Sequence, residues 1–302
     1  MGRMDQSATA SRAQPLVAPS GVAAAVMAKA SDENFPVASR LLPASVRPHL
    51  LAVYGFARLA DDIGDEADGD RLAQLDRLEH ELDRAVEGAP TEPILQRVAA
   101  TIRACSLPLD PFRKLIDANR QDQVVTRYAT YAELVRYCEL SANPIGEIVL
   151  RIFGAASPER LRWSDDVCTG LQIVEHLQDI GEDARRGRVY LPADDLARFG
   201  CDEALLQRPS AGRALRDVVL FESDRAEALL SAAVPLTTSL RGRPRLGVAA
   251  FAAGGLAVVD AIRGAYGDTL ATKCRPRGNA VVRHWAAILR AASTTAASTR
   301  RN

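Results

Sequence analysis

The sequence is short of several features that would each mark a class of protein. Cys105, Cys138, Cys168, Cys201 and Cys274 are odd in number, widely spread and never spaced C-x-x-C. They suggest neither a disulfide framework nor a zinc site, and a reduced cytoplasm is the default compartment. Aromatic residues are only 5% of the 302, which limits cation–π stabilisation of a bound cation. Neither sign of charge prevails: 38 Lys and Arg balance 38 Asp and Glu. That argues against a nucleic-acid partner, and any charged ligand must be met locally. The longest uncharged apolar run, Leu246 to Val259, has 14 residues and three glycines. A spanning helix needs about 20, so this run reads as a buried helix. No Gly-x-Gly-x-x-Gly follows a strand, so a Rossmann nicotinamide site is absent. The four histidines, His49, His80, His176 and His284, form no metal-ligand spacing.

What remains is helical patterning. Leu72, Leu75, Leu78, Leu82 and Val86 recur among charges as one face of an amphipathic helix. Similar stretches fill most of the chain, separated by turn signals at 88–93, 107–111, 154–158, 208–212 and 241–244. Period-two alternation is scarce, and no repeat or shift in composition divides the chain. The reading is an all-α fold in one domain over residues 32–292, preceded by a flexible leader, 1–31, and followed by a disordered tail, 293–302.

Chemistry concentrates in two acidic clusters. Asp61-Asp62-Ile63-Gly64-Asp65-Glu66 closes a mostly apolar stretch, and Asp61 and Asp65, at i and i+4, share one helical face within reach of a hard cation. Alone, this pattern equally describes a solvated helix end. Glu175, Asp179 and Asp183 repeat it at i, i+4 and i+8, and Arg185-Arg186-Gly187-Arg188 follows at once. Like charges at i, i+4 are mildly destabilising unless a cation compensates. Two carboxylate clusters with adjacent arginines suit a diphosphate held through Mg²⁺. Such a site can expel diphosphate without a nucleophilic side chain, leaving a carbocation that apolar helical walls shield from water. Leu246 to Val259 would serve as such a wall or as ordinary core.

On these residues the chain resembles the squalene and phytoene synthase family. The resemblance runs from Asn34–Pro43 through Tyr54–Asp65 and Tyr137–Gly146 to Leu171–Pro192, and spans residues 32 to 292. It implies a class I isoprenoid synthase fold with a central cavity, an isoprenoid diphosphate substrate and Mg²⁺. Asp61 and Asp65 would bind metal from one side, and Asp179 and Asp183, with Glu175, from the other. Arg58 would contact diphosphate, while Tyr54, Tyr137, Gln172, Arg188 and Tyr190 fall on substrate-lining positions.

Within the family, the segments Glu33–Ser39, Ser141–Gly146 and His176–Asp179 look most like the hydroxysqualene synthase branch of bacterial hopanoid pathways. That branch ionises presqualene diphosphate and lets water capture the cation, with other enzymes making the substrate and reducing the product. The alternatives are condensation of farnesyl or geranylgeranyl diphosphate to presqualene diphosphate, squalene or phytoene, or a catalytically weak lipid-binding or scaffolding partner. Two departures matter: Gln178 stands where the condensing enzymes usually have Arg, and Glu175 where the family usually has Asn. His176 reads as a packing histidine or as a positioner of water. An apolar product is compatible with peripheral contact at the inner face of a membrane.

Overall fold

The structure, a computed structural model, describes residues 42–88 and 92–299, with side chains through Thr295. The expected leader, and the resembling segment as far as Leu41, lie outside the described residues. Within them there are twelve α-helices, one short 3₁₀ turn and no strand beyond an isolated bridge between Arg127 and Val189. The helices are α1 (Arg47–Asp65), α2 (Arg71–Glu87), α3 (Pro93–Cys105), α4 (Asp110–Gln121), α5 (Tyr131–Ser141) and α6 (Asn143–Ile152). They continue with α7 (Pro158–Arg185), α8 (Ala193–Arg198), α9 (Arg213–Leu230), α10 (Ala233–Ser239), α11 (Gly242–Gly264) and α12 (Gly278–Thr299). All five cysteines are free.

Local signals explain where helices begin and end. The Asp70 carboxylate accepts the Ala73 N–H at the start of α2, whose end is Gly88 in the left-handed region (φ 91°). At α7 the Ser157 hydroxyl accepts the Arg160 N–H and proline occupies the first turn. The segment 241–244 is only partly a turn, because α11 starts at Gly242.

Burial organises these helices around two main apolar clusters. One joins α1 to α4 and α6 through Leu59, Ile63, Leu78 and Ile116, with Phe56 set edge-on to Phe112 at 5.2 Å. The other, larger, gathers α5, α7, α9, α11 and α12 around Val174, Leu177, Val219, Leu230 and Val258. Helix α7 is its spine. Gly170 lets α9 press against it, since a Cβ there would stand 3.0 Å from the Ala226 carbonyl oxygen.

Helix α11 contains the apolar run and exceeds it. By length and composition it would cross a bilayer, yet 67% of its most apolar window is buried inside the fold. At Gly255 it receives Leu171 and Leu230. It is a core helix, as the sequence suggested. The tail departs from expectation: α12 runs to Thr299 through most of the segment read as disordered. Alanines favour the helix there, and the Thr294 and Thr295 hydroxyls donate to the carbonyls of Arg290 and Ala291.

Candidate active site

A cavity of about 340 Å³ opens between the C-terminal ends of α1 and α4 and the second half of α7. Its wall is almost wholly polar. Asp61, Asp65, Glu175, Asp179 and Asp183 all line it, so the structure brings together both acidic clusters that the spacing singled out.

The α1 bank is held by the protein's own donors. Asn119, near the end of α4, donates from Nδ2 to Asp61 Oδ1 at 3.2 Å and to the Leu115 carbonyl at 3.1 Å. Gly64 makes this possible, because a Cβ there would fall 2.3 Å from Asn119 Oδ1. Arg58 lies 3.4 Å from Asp62 and 4.0 Å from Asp61. Asp65 receives Arg188 at 2.6 Å and Arg186 at 3.3 Å. Arg188 reaches it because the segment after α7 is pinned to the loop before α5: Val189 N–H donates to the Thr126 carbonyl, and Arg127 to that of Gly187.

The α7 bank is organised differently. Among the described residues no ion pair or side-chain hydrogen bond within the usual limits reaches the carboxylates of Asp179 or Asp183. Burial, reinforced by Asp179, pushes Asp183 up to about 7, and burial with Glu182 raises Asp179. On α1, burial pushes Asp61 up to about 6 against the pull of Asn119 and Arg58.

Aromatic side chains close one side. Tyr137 and Tyr190 donate their hydroxyls to Asp122, at 2.7 and 3.0 Å. His176 stacks on Tyr190 with centroids 3.9 Å apart and an interplanar angle of 10°. It is 8% exposed, burial pushes it down to about 3, and Gln172 Nε2 lies 3.4 Å from its Nε2. It is thus a neutral, packed imidazole that also faces the cavity.

Of the expected residues, Arg58, Tyr137, Gln172, Arg188 and Tyr190 line the cavity; Tyr54, one turn before Arg58, is not among the lining residues. It shares the helical face of Asp61 and Asp65 but sits seven residues before Asp61, about 10 Å further along the helix axis. Gln178 also faces elsewhere, donating to the Cys274 carbonyl. None of Leu246 to Val259 lines this cavity, so its role as a wall gives way to core. Asn119, Asp122 and Ser141 line it without having been singled out. Their only trace in the sequence is polarity at the ends of otherwise apolar helix faces.

Among the described residues no three Asp, Glu, His or Cys side chains converge to hold a metal ion by themselves. The donor chemistry nonetheless fits Mg²⁺, which is usually held by one or two carboxylates together with waters and substrate phosphates. The buried Ser141 hydroxyl, which finds no partner among the described residues, adds a polar group to the same wall.

Helices surrounding a polar cavity with carboxylate banks on two sides define the class: a single-domain, all-α isoprenoid synthase fold. A model of squalene/phytoene synthase matches residues 28–286, and the chain belongs to that family, whose members act on isoprenoid diphosphates. It is 38% identical over 214 residues to a hydroxysqualene synthase of Rhodopseudomonas palustris (strain ATCC BAA-98 / CGA009), covering 70% of this chain and 72% of the relative. It is 33% identical over 209 residues to a phytoene synthase of Arthrospira platensis, covering 64% and 68%. The crystal structure of squalene synthase HpnC from Alicyclobacillus acidocaldarius shares 40% identity at a TM-score of 0.75, over 82% of this chain and 94% of that one.

Proposed function

We propose that the protein acts on presqualene diphosphate, expelling diphosphate and letting water capture the rearranged cation to give hydroxysqualene. The observation that carries this reading against condensation is Gln178. Where the condensing relatives are expected to place an arginine, this chain has a neutral amide spent on the Cys274 carbonyl. The α7 bank therefore gains no cation from that position, which suits one diphosphate better than two.

Mg²⁺ held by Asp61 and Asp65 on one side and Glu175, Asp179 and Asp183 on the other would neutralise charge on the departing diphosphate. Arg58 and Arg188 supply guanidinium donors for the remaining oxygens. For Arg188 this means exchanging Asp65 for phosphate, so arrival of the substrate frees a carboxylate of the α1 bank. Tyr137 and Tyr190 keep their hydroxyls on Asp122 and, packed with Tyr128 and His176, form a rigid aromatic side of the cavity. Other enzymes would make the substrate and reduce the alcohol. Both carry long hydrocarbon chains, which fits exchange at the inner face of a membrane.

The test is to incubate the protein and Mg²⁺ with presqualene diphosphate, and separately with farnesyl and geranylgeranyl diphosphates, without reduced nicotinamide. Hydroxysqualene from presqualene diphosphate alone is the expected result. Presqualene diphosphate or phytoene from a linear substrate would move the protein to the condensing branch, and no turnover would favour a scaffolding partner.

A further inference from the structure

Behind the stacked rings of His176 and Tyr190 lies a second, much smaller space of about 10 Å³. That is room for a single water, which needs two to four polar partners to be held. His176, Asp183, Arg188 and Tyr190 supply them, and the same four residues also line the main cavity. The alcove thus shares its polar wall with the site. Ile180, Val189 and Leu206 complete it with apolar surface, which leaves the polar side as the direction in which a water is hydrogen-bonded.

We propose that this alcove holds the water that captures the cation, and that His176 is the positioning residue that aims it. The inference rests on the water-capture reading above. Stacking on Tyr190 fixes the plane of the imidazole, and Gln172 beside Nε2 fixes its rotation. Because the Gln172 amide nitrogen can only donate, Nε2 is the accepting nitrogen of the ring, which leaves the Nδ1–H as a donor. In the step, the carbon–oxygen bond to diphosphate breaks and the electron pair leaves with the diphosphate. A lone pair of the water then forms the new carbon–oxygen bond, and the resulting oxonium gives its proton to the diphosphate. A cation that meets no water loses a proton instead and leaves as a polyene, differing from the alcohol by one water.

The ratio of alcohol to polyene therefore reads out the alcove, independently of total turnover. His176→Phe keeps the stack and removes the polar atoms; Val189→Leu adds bulk to the alcove from its apolar side. Either variant is expected to lower the ratio about tenfold, as weakening one branch of the partition would, measured by mass spectrometry on products from presqualene diphosphate. A wild type that yields no alcohol would overturn the function reading and the alcove with it. Alcohol from the wild type with an unchanged ratio in both variants would overturn the alcove alone.

Discussion

On α1, Asp61 is held by Asn119, Asp62 by Arg58 and Asp65 by Arg188 and Arg186; on α7, Asp179 and Asp183 face the same cavity without such partners among the described residues. Both stretches carry carboxylates at i, i+4, and both look alike in the sequence. The difference comes from what other elements bring: α4 and the segment after α7 deliver donors to the α1 carboxylates, whereas among the described residues Asp179 and Asp183 feel Lys273, Arg186 and Arg188 only at a distance. One bank is therefore settled before a ligand arrives. The other keeps its like-charge repulsion, and on the function proposed above that residual cost is what a bound Mg²⁺ would relieve.

The largest expected effect separates activity from stability. Asp183→Asn and Asp65→Ala should each cut Mg²⁺-dependent diphosphate release by about a thousandfold. In thermal melts with chelator, however, they should move in opposite directions. Asp183→Asn relieves a like-charge contact and stabilises the protein by about 0.5 kcal/mol. Asp65→Ala strips the largely buried Arg188 of its closest acceptor and costs about 1 to 3 kcal/mol. Two melts shifted in the same direction would erase the distinction between the banks. Next in size, Arg188→Gln should lower turnover about a hundredfold and weaken binding of inorganic diphosphate measured by calorimetry. Diphosphate bound as tightly as by the wild type would mean that Arg188 only braces Asp65.

A third acidic cluster, outside the cavity, sharpens the rule that an acid without a ligand must be neutralised from within. Arg225 Nη1 donates to both Asp195 and Glu222, and Glu222 is 1% exposed. Burial pushes Glu222 up to about 8, against the pull of Arg225. The folded protein thus binds a proton there that the unfolded chain releases near 4.5. The sign follows: this contribution is full below about 4.5 and is lost as pH rises towards 8. Glu222→Gln should flatten the fall in melting temperature between these limits. A slope identical to that of the wild type would place the titration elsewhere.

How much of this was legible in the sequence depends on the range of the interaction. The helix bearing Leu72 to Val86 and the two acidic stripes follow from spacing within one helix, and all were readable. Asn119 was not, because its significance lies in Asp61, 58 residues away, and nothing local distinguishes it from any polar residue near a helix end. The fate of Gln178 likewise depended on Cys274, 96 residues away. Tyr54 shows the opposite case: its position in a motif resembling the family's suggested a place in the site, and it shares the helical face of Asp61 and Asp65, but two turns along the axis it lies outside the polar cavity. The tail was misread because small and hydroxyl residues fit both a loop and a helix end, and contact with α11 decides between them where the tail begins, with Arg245 donating to the Ser293 hydroxyl.

The smallest expected effect tests whether the settled state of α1 depends on one missing methyl group. Gly64 lies near the end of a helix, where alanine would ordinarily gain about 1 kcal/mol from propensity. Its Cβ, however, would stand 2.3 Å from Asn119 Oδ1 and 3.1 Å from Cγ. Asn119 is 7% exposed and already bonded to Asp61 and Leu115, so it can yield only by giving up those bonds. Overpacking of this kind costs about 1 to 3 kcal/mol. The clash outweighs propensity, and Gly64→Ala should be net destabilising by about 1 kcal/mol, read from urea midpoints. The double variant with Asn119→Ala removes the clashing side chain, so adding the alanine there should be neutral or stabilising. If Gly64→Ala stabilises the otherwise wild-type protein, Asn119 is free to move, and the α1 bank is no better organised than its partner on α7.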